Sequence, residues 1–243
     1  MDLQKIFSGK QKKLALLIDP DKTSAAAAAK LSVEAGKNGF QFILIGGSLV
    51  SEPLDQYINT VKKICKLPVV LFPGSLFQVS ANADGMLLLS LISGRNPEYL
   101  VGQHVLAAPV IKKMKLQTIP TGYILIDGGN TTSVEYMSNT KAIPANKSDI
   151  IKATALAGEM LGLKLIYLEA GSGAKSRVPS KVISEVKNTV SVPVVVGGGI
   201  SSVRELKEVF AAGADIAVIG TAIENNSKLL KEFARVVKDY NIS

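Results

Sequence analysis

The sequence is poor in the residues that usually build disulfides and transition-metal centres. Its 243 residues include one cysteine, one histidine and no tryptophan. Because Cys65 is the lone cysteine, an internal disulfide is excluded, and because His104 is the lone histidine, a zinc site with several histidine ligands is excluded. His104 lies in a predicted helix, where we expect a structural role.

Long apolar segments are also missing. No run approaches the roughly 18 residues that span a membrane, and residues 1–13 lack the apolar core of a signal peptide. We therefore predict a cytoplasmic protein. The net charge of +8 comes from scattered lysines, without the dense basic block or interleaved aromatics of a nucleic-acid binder. Anionic small substrates, or transient contact with an anionic membrane surface, explain this charge instead.

The chain does contain a repeated alternation of short apolar runs, turns and helical patterns. This alternation is typical of parallel strands connected by helices, and the length suits a single (β/α)₈ TIM barrel. Apolar residues make up 47% of the chain, as expected for strands that are buried on both faces. We predict one α/β domain over residues 1–243. The predicted strands are residues 14–18, 42–45, 69–72, 86–91, 118–126, 161–168, 193–196 and 215–219.

The barrel pattern weakens between the third and fourth predicted strands. Residues 73–85 are too short and too irregular for the helix that usually connects two parallel strands. We therefore predict a modified barrel whose third helix is reduced or missing, with a gap that could admit a long apolar substrate. A second irregular segment, residues 131–147, is predicted to be an ordered loop, because it contains aromatic and apolar side chains.

Three late strands end in glycine-rich turns, at residues 171–173, 197–199 and 220–221. Small residues let backbone N–H groups approach an anion closely, and the loops after strands seven and eight often bind phosphate in TIM barrels. Close packing of strand against helix is the alternative explanation for these glycines. Glu169 lies just before the first turn, where a carboxylate requires a chemical role or a cation. Lys175 and Arg177 either cover the phosphate or remain solvated.

Two further polar residues follow the first and second predicted strands. Asp19 is not needed as a helix cap, because Thr23 and Ser24 can serve that purpose. Ser48 follows two glycines and offers a hydroxyl oxygen at the same predicted rim of the barrel. One carboxylate and one hydroxyl are too few for a metal site made by protein alone, but they suit Mg²⁺, which keeps waters and binds substrate phosphates.

These segments together resemble the geranylgeranylglyceryl phosphate synthase family, and they occur in the family's order across nearly the whole chain. The family fold is a modified (β/α)₈ barrel in which the third helix is replaced. One branch carries a lysine two residues before the aspartate, where this chain has Leu17, so the resemblance is to the other branch. The matching segments are LLIDPDK (16–22), IGGS (45–48), YMSNTK (136–141), YLEAGSG (167–173), VGGGI (196–200) and GT (220–221).

The resemblance implies prenyl transfer from geranylgeranyl diphosphate to the free hydroxyl of sn-glycerol 1-phosphate, which forms an ether and releases diphosphate. It implies a homo-oligomer that uses Mg²⁺ held by Asp19 and Ser48, and it leaves the length of the prenyl donor open. Glu169 is the expected proton acceptor, supported by Tyr167. The implied glycerol phosphate residues are Tyr167, Leu168, Glu169, Ala170, Gly171, Ser172, Gly173, Gly198, Gly199, Gly220 and Thr221.

Two other functions fit parts of the same pattern. A sugar-phosphate isomerase or cyclase, of the kind found in histidine or tryptophan biosynthesis, could use Asp19 and Asp127 as acid and base. Such an enzyme would need neither a divalent metal nor an apolar channel. A non-catalytic phosphate-binding module recruited to anionic membranes would bind glycerol phosphate but form no product, and Glu169 would then be dispensable.

Overall fold

Eight parallel strands close into a barrel in the computed structural model, which describes residues 3–242. Each strand pairs with its sequence neighbours, and the last strand pairs with the first. The predicted (β/α)₈ fold is therefore confirmed. The predicted domain of residues 1–243 also includes residues 1, 2 and 243, which lie outside the described range. The strands are β1 Lys13–Ile18, β2 Phe42–Ile45, β3 Val69–Leu71, β4 Gly85–Leu91, β5 Thr118–Leu125, β6 Leu165–Glu169, β7 Val194–Gly197 and β8 Ile216–Ile219.

Helices cover the outside of the barrel and close its amino-terminal end. A π-helical turn, Glu98–Gly102, leads into α4. No helix in the described range is long and apolar enough to cross a bilayer. The helices are α1 Leu3–Phe7, α2 Ala25–Lys37, α3 Leu54–Lys62, α4 Gln103–Met114, α5 Ser133–Ser138, α6 Ser148–Met160, α7 Ser180–Lys187, α8 Val203–Ala211, α9 Thr221–Asn225 and α10 Leu229–Ile242.

Alternating side chains divide the core into two layers. Leu165 and Tyr167 of β6 belong to the inner layer inside the barrel, whereas Ile166 and Leu168 pack outward against the helices. This alternation follows from the two-residue period of a strand, and it continues to Glu169, which is therefore directed inward. At the opposite end, Phe7 of α1 closes the barrel, with its ring 4.8 Å from the ring of Phe42.

The absence of a helix between β3 and β4 agrees with the prediction. Residues 72–84 connect these strands by turns and bends, which leaves a gap in the ring of helices before α4. The predicted loop at residues 131–147 differs from the structure, because it contains the short helix α5. The side chains of Thr132 and Glu135 form a capping box at its amino terminus, which satisfies N–H groups that the helix leaves unpaired.

The predicted start of the sixth strand is wrong by four residues. Residues 161–164 end helix α6 and turn back toward the barrel, since the Leu161 N–H bonds to the Ala157 carbonyl and Gly162 adopts φ +89°. An apolar run cannot distinguish a helix end from a strand start, and the run here contains both. Other predicted strand limits differ from the structure by one residue or agree with it.

Candidate active site

The predicted site residues meet at the carboxyl-terminal rim of the barrel. Asp19 follows β1, Ser48 lies three residues after β2, and Glu169 is the last residue of β6. Gly198 follows β7 directly, and Thr221 begins α9 two residues after β8. Because all eight strands are parallel, these residues lie at one end of the barrel, where TIM-barrel enzymes carry their active sites.

Glu169 is a buried carboxyl group at this rim. It is 5% exposed, and Oε1 accepts a hydrogen bond of 2.7 Å from the Gly171 N–H. Burial raises the pKa of Glu169 to about 7, while the Gly171 N–H and the nearby Tyr167 hydroxyl act in the opposite direction. Burial has this effect because a low-dielectric environment disfavours the charged form. Both protonation states are therefore accessible near neutral pH, as a proton acceptor requires.

Tyr167 lies fully buried beside this carboxyl group. A methyl group at position 197 would lie 2.4 Å from the Tyr167 hydroxyl and 2.6 Å from Glu169 Oε2. Gly197 is therefore what allows both polar groups to approach the same point. The two groups are not aligned as a hydrogen bond, and the hydroxyl has no partner among the described residues. A buried hydroxyl without a partner is costly, so it is available to a bound molecule.

Three glycine-containing segments converge beside Glu169. We call them the glycine loops, and they are residues 170–173, 197–199 and 220–221. A methyl group at Gly198 would lie 2.7 Å from the backbone nitrogen of Gly171. Ser172 Oγ lies 3.4 Å from Thr221 Oγ1, which connects the first segment to the third. Left-handed backbone explains four of the glycines: φ is +97° at Gly171, +73° at Gly173, +77° at Gly198 and +72° at Gly199.

The backbone amides of the glycine loops fall into two groups. The N–H groups of Ser172, Gly173, Gly198 and Gly199 donate to no other residue in the range 3–242. In contrast, the Ala170 N–H bonds to the Gly197 carbonyl at 3.2 Å. The Gly171 N–H, which the glycine-rich turn was expected to leave open to an anion, is also occupied, because Glu169 Oε1 accepts it.

Not every predicted contact residue directs its side chain into the site. The Leu168 side chain is fully buried in the outer layer of the core, away from the barrel interior. Gly220, like Gly197, has no left-handed φ, unlike the other four loop glycines. Leu168 and Gly220 can therefore contribute only through their backbone.

Asp19 and Ser48 occupy neighbouring loop tips. A methyl group at Gly47 would lie 3.3 Å from Asp19 Cγ, so the second loop packs directly against the carboxylate. Asp19 Oδ2 lies 2.9 Å from Lys22 Nζ, and Oδ1 accepts the Asp21 N–H at 3.1 Å. Carboxylate and hydroxyl oxygens are hard donors that suit Mg²⁺. Within residues 3–242 no group of three His, Cys, Asp or Glu side chains could hold a metal, so substrate oxygens or waters would have to complete the site.

Gln78 is a buried residue of this region that sequence reasoning missed. It is 3% exposed, and its Nε2 donates to the Gly47 carbonyl at 2.8 Å. Its Oε1 accepts the N–H groups of Gly74 at 3.2 Å and Gly47 at 3.4 Å. Gln78 therefore joins the loop after β2 to the segment that replaces the third helix. A glutamine in an irregular segment has no spacing signature, so nothing in the sequence distinguished it.

An apolar cleft extends from this rim across the gap left by the missing helix. Its lining includes Gly47 and Ser48 at the rim and Ala107 and Ile111 of α4. We call it the apolar cleft. Charged side chains are absent from its lining within the described range. Side chains that line it include Phe72, Leu76, Val79, Met86, Leu88, Leu91, Tyr99, His104, Tyr123 and Met137.

Two other candidates, Arg177 and Asp127, are occupied elsewhere, whereas the lone histidine lines the cleft. Arg177 donates to the Val178 carbonyl at 2.8 Å and pairs with Glu208 of α8, so it does not cover the glycine loops. Asp127 is exposed and accepts the Gly129 N–H of its own turn at 2.8 Å. The arrangement therefore gives no support to an acid–base pair of Asp19 and Asp127. His104 lines the cleft, with Nε2 3.5 Å from Ser90 Oγ.

The fold and this rim define the protein as a (β/α)₈-barrel enzyme. The chain belongs to the PcrB family, whose model matches residues 8–237. It is 51% identical to the geranylgeranylglyceryl phosphate synthase of Chitinophaga pinensis, over 93% of this chain and 90% of that protein. It is 43% identical to the enzyme of the same name from Methanosphaera stadtmanae, over 91% of this chain and 92% of that protein.

A solved structure agrees with these relatives. The crystal structure of (S)-3-O-geranylgeranylglyceryl phosphate synthase from Thermoplasma acidophilum, in complex with its substrate sn-glycerol-1-phosphate, superposes with a TM-score of 0.90 and 32% identity. The match covers 96% of this chain and 95% of that chain. The predicted resemblance to this family and the predicted enzyme class, a prenyltransferase, are confirmed.

Proposed function

We propose that this chain is a geranylgeranylglyceryl phosphate synthase. It joins the free hydroxyl of sn-glycerol 1-phosphate to the first carbon of geranylgeranyl diphosphate through an ether bond, and it releases diphosphate. The observation that carries this proposal is the position of Glu169. This buried carboxyl group, whose pKa is about 7, lies between the glycine loops on one side and the ring-lined interior of the barrel on the other.

The glycine loops bind the phosphate of sn-glycerol 1-phosphate. Their free N–H groups, at Ser172, Gly173, Gly198 and Gly199, supply donors for phosphate oxygens, and the hydroxyls of Ser172 and Thr221 lie at the same place. Backbone amides in left-handed turns form concave anion sites of this kind. The glycerol hydroxyls then lie near Glu169 and the unpartnered Tyr167 hydroxyl.

Asp19 and Ser48 would hold Mg²⁺ at the entrance to the apolar cleft. Bound there, Mg²⁺ supplies a Lewis acid that stabilises the negative charge of the diphosphate. Lys22 balances the Asp19 carboxylate, so it competes with Mg²⁺ for the same oxygens. Gln78 keeps the Ser48 loop against the cleft wall through its bonds to Gly47.

The apolar cleft receives the prenyl chain of the donor. Ser48 lines it at the polar rim, and most of its other lining side chains are aliphatic or aromatic, so the diphosphate remains at the rim while the chain is buried. Transfer of an apolar chain from water to such a surface is favourable. The absence of the third helix exposes this cleft, which a complete ring of helices would cover.

At the first prenyl carbon the chemistry breaks one bond and forms one. The bond between the first prenyl carbon and the diphosphate oxygen breaks, and the electron pair leaves with the diphosphate. An oxygen lone pair of the glycerol hydroxyl forms the new bond to carbon. Glu169 accepts the hydroxyl proton, and the Tyr167 hydroxyl orients the glycerol.

A product assay tests this function. The purified protein is incubated with sn-glycerol 1-phosphate and an equimolar mixture of prenyl diphosphates of different lengths, with Mg²⁺ or with EDTA, and the lipid extract is examined by mass spectrometry. We expect a prenyl ether of glycerol phosphate that requires Mg²⁺ and is lost in Glu169→Gln. With sn-glycerol 3-phosphate as the control acceptor, product should fall sharply. Absence of an ether with every donor contradicts the proposal, and binding of glycerol phosphate without product indicates a non-catalytic module.

A cytoplasmic location, a homo-oligomer and transient contact with a membrane surface stay predictions. They rest on the composition and on the family resemblance. The product distribution from the donor mixture also measures which prenyl length the cleft accepts, which the resemblance leaves open.

A further inference from the structure

Three aromatic rings form a triangle inside the barrel. The ring centroids of Phe72 and Tyr167 are 5.2 Å apart, those of Tyr123 and Tyr167 are 5.4 Å apart, and those of Phe72 and Tyr123 are 5.9 Å apart. Tyr123 and Tyr167 are paired residues of the adjacent strands β5 and β6, and Phe72 follows β3 directly. We call this group the aromatic triangle.

The triangle lies where the two halves of the proposed site meet. Phe72 and Tyr123 line the apolar cleft together with Gly47 and Ser48. Tyr167 is beside Glu169, because both side chains contact Gly197. A donor in the cleft whose first carbon reaches a hydroxyl near Glu169 therefore lies against these rings.

No charged side chain in the described part of the chain lines the cleft near the aromatic triangle. In the described part of the chain, the cleft lining contains no Asp, Glu, Lys or Arg, and Glu169 lies beyond Tyr167. Burial and the neighbouring Glu169 charge raise the pKa of Tyr123 well above its ordinary value. Tyr123 therefore remains a neutral phenol, and positive charge that develops here meets ring faces.

We propose that Phe72, Tyr123 and Tyr167 are catalytic residues that stabilise the positive charge on the allylic carbon as the donor ionises. The inference rests on the proposed function, since it concerns the donor carbon of that reaction. When the carbon–oxygen bond breaks and its electron pair leaves with the diphosphate, the allyl group carries one positive charge. The negative faces of aromatic rings attract such a charge, most strongly where water is excluded. The charge disappears when the glycerol oxygen bonds to carbon and its proton passes to Glu169.

Core packing alone does not account for the triangle. Other inner positions, such as Leu44, Val70 and Val195, are aliphatic, and the ring contact of Phe7 with Phe42 lies at the amino-terminal end of the barrel. Three rings gather only at the rim, next to the one buried carboxyl group of the inner layer. One of them, Tyr167, also keeps a buried hydroxyl without a partner.

Ring fluorination tests the proposal with little change in shape. Phe72 is replaced in the full-length protein by phenylalanine carrying one, two or three ring fluorines, which progressively weaken the negative face of the ring. The same series at Phe210, which is buried against Tyr240 on the outside of the barrel, is the matched control. Single-turnover rates are measured with a donor fluorinated at its second carbon, because slow ionisation then limits the rate.

We expect the logarithm of the rate to fall in even steps across the Phe72 series, to an overall loss on the order of thirtyfold, the upper range for a desolvated cation–π contact. Donor affinity and melting temperature should stay unchanged, and the Phe210 series should show no trend. Tyr123→Phe should retain the rate within a few-fold, whereas Tyr123→Leu should lose about tenfold or more.

The outcomes separate this inference from the proposed function. If the unmodified enzyme forms no ether, the proposed function fails. If it forms ether but the fluorinated Phe72 series shows no trend, the enzyme remains a prenyltransferase and the role of the triangle is overturned. Equal trends at Phe72 and Phe210 would also overturn it, because they would indicate a general effect on the fold.

Discussion

The Gly171 N–H donates a hydrogen bond of 2.7 Å to Glu169 Oε1, and this bond connects the proposed base to the proposed phosphate loop. Gly171 adopts φ +97°, and a methyl group there would lie 2.3 Å from Thr132 Cγ2. Only glycine can therefore hold the amide in this place. Because the proposed phosphate loop also fixes the carboxyl group, we expect binding of glycerol phosphate and the position of the base to be coupled.

The first prediction concerns the pH dependence of catalysis. Burial raises the pKa of Glu169 to about 7, and only the deprotonated form can accept a proton. We therefore expect kcat/KM to rise with pH up to about 7 and then to level. Initial rates from pH 5.5 to 8.5 measure this. Glu169→Gln should lower kcat by about 10² or more and remove the rise; unchanged turnover would remove Glu169 from the role of base.

The same shift predicts a change in stability. Because the folded pKa of Glu169 exceeds its ordinary value of 4.5, the fold favours the protonated form. The protonated Glu169 carboxyl group makes its full contribution to the free energy of unfolding below about pH 4.5, and this contribution is lost as pH rises through about 7. Glu169→Gln should therefore match the parent protein near pH 4.5 and exceed it by about 3 kcal/mol at pH 8. Urea unfolding at both pH values measures this, and equal stability at pH 8 would contradict the buried, shifted carboxyl group.

A third prediction addresses the proposed Mg²⁺ residue. Asp19→Asn should raise the Mg²⁺ concentration for half-maximal activity by about tenfold or more, which corresponds to about 1.4 kcal/mol. Lys22→Gln is the matched control, because it removes the cation 2.9 Å from the same carboxylate. Removal of a competing cation should lower the Mg²⁺ requirement, while stability changes little, since exposed ion pairs contribute about 0–1 kcal/mol. If neither activation curve moves, the metal binds elsewhere.

Local sequence signals predicted the barrel well. Residues 42–45 form β2 as expected, because a short run of apolar residues between turn signals is typical of a strand buried on both faces. The capping-box pattern at Thr132 and Glu135 was also present in the sequence, yet the segment was predicted to be a loop. One helical turn between two loops is too short for hydrophobic periodicity to reveal it.

The features that the sequence did not predict depend on how the barrel closes in three dimensions. The pairing of Arg177 with Glu208, and the contact of Phe72 with Tyr167, join elements that are far apart in the chain. Their proximity follows from the register and curvature of the closed sheet, which no local pattern encodes. The raised pKa of Glu169 is of the same kind, because the buried environment comes from surrounding strands.

Gln78 should be important for stability. Gln78→Leu keeps a similar volume but leaves the Gly47 carbonyl and the N–H groups of Gly47 and Gly74 without their partner. Unsatisfied buried groups cost about 1–3 kcal/mol each, so we expect a loss of about 3 kcal/mol in urea unfolding. Gln56→Leu, on the exposed face of α3, should change stability by no more than about 0.5 kcal/mol. Equal effects of the two variants would show that Gln78 is not a structural link.

The last prediction uses two glycines with similar backbone strain. Gly198 has φ +77° and Gly162 has φ +89°, so alanine at either position costs roughly 1–2 kcal/mol in backbone strain alone. The surroundings differ: an alanine methyl at 198 would lie 2.3 Å from Glu169 Oε1, whereas nothing lies within 4 Å at 162. Gly198→Ala should therefore displace the carboxyl group and the adjacent amides, and lower kcat/KM by about 10² or more.

Gly162→Ala should lose similar stability from strain but keep its activity, because it lies far from the rim, at the end of α6. Steady-state kinetics and thermal unfolding of both variants separate strain from displacement. Binding of inorganic phosphate, measured by calorimetry, should weaken only in Gly198→Ala, since the free N–H groups of the glycine loops are disturbed there. Full activity and phosphate affinity in Gly198→Ala would mean that phosphate binds elsewhere than between Gly198 and Gly171.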